Sequence, residues 1–181
     1  TKNNATDLMD ALGVTSREVS VKAACEQHFK DIGHDVTNHD VVYENSQARE
    51  RTQILMDVAN LCGGMVIGTG DMSELALGWA TYNGDQMSMY GINSSVPKTL
   101  VKHMVAWYAD NRAEGVLRDT LHDVVATPVS PELLPADGQN IAQKTEDIVG
   151  PYDLHDFFLY CALRRRYVPS KIFMLATLAF E

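Results

Sequence analysis

Residues 65–85 read MVIGTGDMSELALGWATYNGD, and the fold turns on this stretch. MVIG at 65–68 is a short, continuously apolar run of the kind that forms a buried strand. Gly68-Thr69-Gly70 follows as a turn, and a helix is predicted from about Ser73 to Ala80. A strand feeding a Gly-rich turn and then a helix aims backbone N–H groups at an anion. Gly68, Gly70 and Ser73 fall where the dinucleotide fingerprint GxGxxG carries its three glycines. Ser73 replaces the third, however, and the match lies well inside the chain, so the spacing speaks against a Rossmann unit.

Several residues in and near this stretch have two readings. Asp71-x-x-Glu74 spells a capping box, in which Glu74 is purely structural. Asp85, in Asn-Gly-Asp, is a turn residue or a ligand. Trp79 and Tyr82 are packing residues or one wall of a flat ring pocket. Lys98 is less comfortable as a structural residue, because it sits in the first turn of the helix that begins SSVPK, where the macrodipole disfavours a cation. A phosphate held between Lys98 and the helix N-terminus would remove that conflict, and a local rule broken without visible compensation marks a functional site.

Working outward, residues 5–13 read as a short helix ended by Gly13, and the alternation in Arg17–Val21 suggests a strand. AACEQHFKDI is helical and stops at Gly33. A polar link follows, in which His34, His39, Asp35 and Asp40, with His28 before them, imitate a metal cluster. They lack any ligand spacing and are expected on the solvated surface. The clearest helix covers about 46–62, with an apolar stripe of Ile54, Leu55, Val58, Leu61 and Cys62. The helix from Ser95 and Pro97 is predicted to bury Leu100, Val101, Met104, Val105 and Tyr108. Between about 127 and 150 lies a stretch with little periodicity, and a loop that long is usually a functional lid or a link. Residues 151–166 are predicted helical with Leu154, Phe157, Phe158 and Cys161 inward, and Arg164, Arg165 and Arg166 end that helix where its dipole favours cations. KIFMLATLAF, apolar all round, reads as a buried helix; with no capping signal before Glu181, it suggests a truncated chain.

The 181 residues are the size of one domain, or one and a fraction. Fifteen Lys+Arg against 24 Asp+Glu give a net charge of −9, which argues against a nonspecific nucleic-acid or anionic-membrane binder. A nucleotide site survives that argument, since it needs only a few local cations. Cys25, Cys62 and Cys161 are odd in number and lack CxxC spacing, which fits a reducing compartment without structural zinc or disulfides. No apolar run reaches the roughly 18 residues of a membrane span, and no signal segment opens the chain, so a cytoplasmic setting is expected.

Four stretches in register resemble the synthetase domain of NAD synthetases, in the long, glutamine-dependent form. They are YENSQARERTQILMDVAN (43–60), GTGDMSELALGWATYNGDQMS (68–88), VPKTLVKHM (96–104) and QKTEDIVGPYDLHDFFLYCALRR (143–165). The resemblance runs from residue 1 to 181 and implies an ATP pyrophosphatase fold, three-layer α/β/α on a parallel sheet and adenine-nucleotide alpha-hydrolase-like, here truncated and helix-rich. It implies a ligase acting on deamido-NAD and ATP. The nicotinate carboxylate attacks the α-phosphorus to give an acyl-adenylate and pyrophosphate, and ammonia derived from glutamine then displaces AMP to leave NAD. Magnesium and cations offset phosphate charge in such a transfer.

Carried over by position, the resemblance assigns Thr69, Lys98 and Ser130 to ATP. It assigns Asn45, Glu74, Trp79, Ala80, Thr81, Tyr82 and Asp85 to deamido-NAD. Glu74 also matches a magnesium ligand of the ammonia-dependent relatives, and no further catalytic residue is assigned. The long loop around 131–150 resembles one that orders over the site when substrates bind. A homodimer or higher homo-oligomer is implied. The family's pyrophosphate loop, SGGxDS, occurs nowhere in these residues, for Gly63-Gly64 is preceded by Cys62 and followed by Met65. The glutaminase domain and the basic C-terminal tail have no counterpart in 1–181 either. The expectation is therefore an amidating-domain fragment that is inactive alone. The alternative is a non-catalytic dimerisation or nucleotide-binding module, and a weaker one is a nicotinamide-dependent oxidoreductase built on Gly68 and Gly70.

Overall fold

The computed structural model describes residues 2–80, 83–84, 86–128 and 145–180. They fall into two compact units, one holding 2–16, 96–128 and 145–180, the other the described part of 17–95.

The first unit is helical: α1 (Lys2–Ala11), α5 (Lys98–Asn111), α6 (Gly115–Ala126), α7 (Thr145–Val149), α8 (Tyr152–Leu159), a π-helix (Tyr160–Arg164) and α9 (Pro169–Phe180). The Arg112-Ala113-Glu114 connection is short and returns α6 against α5, and α1 packs on α6. Ala109, Ala113 and Leu121 form the buried centre, with Leu8, Val105 and Leu117 packed on it. The predicted inner face of α5 is corrected by this arrangement. Leu100, Met104 and Tyr108 are exposed, whereas Val101 and Val105 are half-buried and Ala109 is fully buried. Val101, Val105 and Ala109 are spaced i, i+4, i+8, one helical row. Small Ala109 lets α6 approach, so this row wins over the row of larger side chains beside it.

In α8 the most buried side chains are Tyr152 and Asp156, again four apart, while Leu154, Phe157 and Phe158 are half-buried. Cys161 is buried as expected. The π-helix ends at Arg164, and Arg166 takes a left-handed φ of 53° where the chain leaves the helix. The last helix, read as buried all round, buries one row only. Ile172 and Ala176 lie inside, but Phe173 and Leu178 are each 73% exposed.

The second unit contains α2 (Lys22–Ile32), α3 (Val41–Cys62), β1 (Ile67–Gly68), α4 (Met72–Leu77) and β2 (Tyr90–Gly91). Gly33 and Gly63 end α2 and α3 in the left-handed region, at φ 70° and 63°, where a side chain would be strained. The α3 helix begins five residues before its predicted start at 46, because Asp40 caps it by accepting from Val42 and Tyr43 N–H at 2.9 and 3.1 Å. Ala48 and Ala59 are its buried apolar residues, while Leu55, Leu61 and Cys62 of the predicted stripe are exposed. Between α2 and α3, Phe29 stacks on Tyr43 with ring centroids 5.6 Å apart.

Two further expectations are corrected in this unit. Arg17–Val21 forms no strand and is largely exposed, since among the described residues no strand pairs with it and alternation alone has no sheet to face. MVIG contributes only Ile67–Gly68 to a strand, which pairs in parallel with Tyr90–Gly91, and Met65 and Ile67 are exposed rather than buried. Among the described residues this is a two-stranded sheet.

Candidate functional site

The turn after β1 is built by local hydrogen bonds. Asp71 accepts from the N–H groups of Ser73 and Glu74 at 2.9 and 3.0 Å, and Glu74 Oε2 accepts from Asp71 N–H at 3.2 Å. This is the capping box read from the sequence. It commits two of the first N–H groups of α4 to the Asp71 carboxylate. Ser73, where the fingerprint has its third glycine, is fully buried.

Glu74 nonetheless does more than close the box. With Gly68, Gly70, Ala80, Ser88 and Ser94 it lines a cavity of about 130 Å³. That is well below the roughly 300–1,000 Å³ of a small-molecule site, so it has room for one ring or one phosphate, not for a dinucleotide. Gly68 forms its floor by necessity, since a Cβ there would lie 2.8 Å from Ser88 Cβ. The pairing of β2 with β1 carries Ser88 to this position, for Met89 and Tyr90 N–H both donate to the Val66 carbonyl at 3.1 and 3.2 Å. Gly78 closes α4 at φ 64°, and Trp79 and Ala80 follow on the surface.

Of the residues selected from sequence, Glu74 and Ala80 share this cavity, and Thr69 is exposed between its two lining glycines. Trp79 is 39% exposed. Asn45 is half-buried on α3, just over one turn beyond the Asp40 cap. Thr81, Tyr82, Asp85 and Ser130 lie outside the described residues, as does 131–144 of the predicted lid, while Thr145–Val149 forms α7. Gln86, Ser88 and Ser94 were not legible as cavity residues; a two-residue strand pairing brings Ser88 there, and nothing local announces it.

Lys98 opens α5 in the helical unit and is half-buried. The compensation its position lacks locally is supplied by α8. Asp156 Oδ2 accepts from both the backbone N–H and the hydroxyl of Thr99, at 2.8 and 2.7 Å. The Lys98 ammonium stands 5.1 Å from the centroid of the Tyr152 ring, a cation–π contact. The conflict that singled out Lys98 is thus partly met within the fold, and its phosphate role rests on the resemblance.

The polar link also departs from expectation. The His34 side chain is only 10% exposed and its Nε2 lies 3.0 Å from Asp40 Oδ1. Backbone hydrogen bonding from Tyr43, then the bonds from His34 and Val42, hold the Asp40 carboxyl below the usual aspartate range. Among the described residues no group of three or more His, Cys, Asp or Glu is placed to hold a metal.

Comparison with known proteins follows the same lines. A family model described as NAD synthase matches residues 1–169. The glutamine-dependent NAD(+) synthetase of Mycobacterium leprae (strain TN) is 48% identical over 181 residues, covering 97% of this chain and 27% of the relative. The chain therefore spans about a quarter of that relative's length. Among solved structures, the NMN synthetase of Francisella tularensis superposes with a TM-score of 0.71 at 21% identity, covering 98% of this chain and 66% of that one. The glutamine-dependent NAD+ synthetase of Acinetobacter baumannii, in complex with ADP, gives a TM-score of 0.60 at 25% identity, covering 99% and 30% respectively. The helix-rich fold with its small parallel sheet is the fold of these enzymes.

Proposed function

The chain belongs to the NAD synthase family, and from that premise we propose that it forms the substrate-side part of the amidating domain of a glutamine-dependent NAD synthetase. The whole reaction turns the nicotinate carboxylate of deamido-NAD into the carboxamide of NAD. ATP activates the carboxylate as an acyl-adenylate with release of pyrophosphate, and ammonia from glutamine displaces AMP. The observation that supports this reading most is the family match over residues 1–169, and Glu74 of the capped turn after β1 lines a small cavity in keeping with it.

Each residue has a stated task in this reading. Thr69 and Ser130 offer hydroxyls to ATP, and Lys98 balances phosphate charge. Trp79, Ala80, Thr81 and Tyr82 line the nicotinate end, where an aromatic face suits a flat ring. Asn45 and Asp85 bind deamido-NAD by hydrogen bonds. Magnesium prefers one or two carboxylates together with water and substrate phosphates, and Glu74 at the cavity wall fits that donor set. Bound there, the ion would neutralise charge on the phosphates. We place the protein in the cytoplasm as a homo-oligomer. Three free cysteines support a reducing setting, and among the described residues no helix is long and apolar enough to cross a membrane.

The test is NAD formation from deamido-NAD and ATP, with ammonia or glutamine, by the polypeptide that carries these residues. Lys98→Ala abolishes turnover and leaves the oligomeric state unchanged. If the exchange alters assembly alone, the non-catalytic module is the better reading. The 181 residues by themselves do not turn over, since they contain no SGGxDS loop to hold pyrophosphate, and turnover by them would refute that expected inactivity.

A further inference from the structure

We propose that Asp156 is a positioning residue for Lys98, supplying from α8 the N-terminal cap that α5 lacks in its own sequence. The residue before α5 is Pro97, which has no side-chain acceptor and makes no capping bond. An N-cap side chain normally accepts from the second or third N–H of its helix. Here the second, Thr99 N–H, is taken by Asp156, 57 residues further along the chain. The Thr99 hydroxyl donates to the same oxygen, so one carboxylate fixes both the backbone and the side chain next to Lys98. Asp156 is only 6% exposed, and a carboxylate at a helix N-terminus is favoured by the dipole that disfavours Lys98.

Tyr152 completes the support. It precedes Asp156 by four residues, so both project from one face of α8, and it is 4% exposed with its ring beside the Lys98 ammonium. Its own N–H donates to Glu146 Oε1 of α7 at 2.9 Å, which ties the start of α8 in turn. The first turn of α5 is thereby held at two points, and the lysine stem leaves it in a set direction. Losing the carboxylate frees the turn and lets the ammonium wander from a bound phosphate.

The proposal rests on the reading of Lys98 as a phosphate-binding lysine, and the experiment separates the two. In the polypeptide that carries these residues, Asp156→Ala raises the KM for ATP about tenfold, the scale of a hydrogen bond to a charged group. The KM for deamido-NAD stays within about twofold. Asp156→Asn, which keeps an acceptor for Thr99, restores most of the ATP dependence. A purely structural aspartate would lower the melting temperature and the active fraction without moving the KM for ATP; that result overturns the proposal. If Lys98→Ala leaves the KM for ATP unchanged, the phosphate reading itself fails. Positioning is then judged by hydrogen exchange at the Thr99 amide, which loses protection in Asp156→Ala and keeps it in Asp156→Asn. Equal protection in both variants refutes it. Should Asp156→Ala fail to fold, Thr99→Val, which removes the hydroxyl donor alone, gives a smaller rise in the KM for ATP, and no rise counts against the proposal.

Discussion

Gly68 offers a sharp test of how the cavity is built. A methyl group added there would stand 2.8 Å from Ser88 Cβ, closer still to Ser88 Oγ, and 3.5 Å from the Tyr90 carbonyl oxygen. Carbon atoms rest at about 3.5–4.0 Å, so the two Cβ atoms overlap by roughly 1 Å. Rotating the serine side chain relieves the Oγ contact but not the Cβ contact, because Cβ is fixed by the backbone. The strain falls on a β1–β2 ladder of only two residue pairs, Ile67 with Tyr90 and Gly68 with Gly91. Overpacking of this kind costs about 1–3 kcal/mol, and at about 2–4 °C per kcal/mol for a chain this long Gly68→Ala lowers the melting temperature by about 2–12 °C. Urea and thermal unfolding of Gly68→Ala, Ser88→Gly and the double variant measure it as a cycle. The double variant recovers at least about 1 kcal/mol relative to the sum of the singles. A Gly68→Ala variant that melts with the wild type, or a coupling of zero, would refute the steric account.

Other outcomes follow from the same structure. Asp71→Ala removes the cap of α4 and costs about 0.5–2 kcal/mol by urea unfolding, whereas Asp71→Ser keeps most of it; an unchanged alanine variant would sink the capping argument. Because the folded-state pKa of Asp40 is depressed, its stabilisation of α3 is complete above the unfolded value of about 3.9 and is lost as pH falls through the lower folded value. Thermal melting against pH therefore shows a shallower acid limb in Asp40→Asn, and identical limbs would contradict the linkage. Burial, aided by the charge of Glu50, pushes the Cys25 thiol up, and Cys62 is exposed. Limiting iodoacetamide followed by peptide mass spectrometry should label Cys62 first; early labelling of Cys25 would show that the packing of α2 on α3 does not shelter it.

What could be read from sequence was governed by local rules. The Asp71–Glu74 box and the glycine closures of α2 and α3 depend on neighbours within a few residues, and they stand as read. The inner face of α5 was misassigned because periodicity weighs large residues, while close packing on α6 selected the smaller row of Val101, Val105 and Ala109. Arg17–Val21 has the alternation of a strand, but pairing requires a second strand, and among the described residues none lies against it. The polar link predicts a solvated His34, yet its contacts with Asp40, the cap of α3, and with the Phe29 ring draw it inside. The support of Lys98 by Asp156 and Tyr152, and the arrival of Ser88 at the cavity, are long-range events with no local signature.

The helical unit also has an unusual timetable. Its first helix, α1, is ten residues long and packs on α6, and the Asn4 side chain donates to Asp123, 119 residues later. A ribosome adding about 5–20 residues per second needs about 6–24 s to make that partner. A helix so short does not hold its shape unaided in water. During those seconds α1 is a loose apolar-bearing segment on the nascent chain, while all of α2 to β2 has already been made. The α1 segment thus waits for α6 before it can find its place, and synthesis leaves it open to chaperones for longer than any other described helix of that unit.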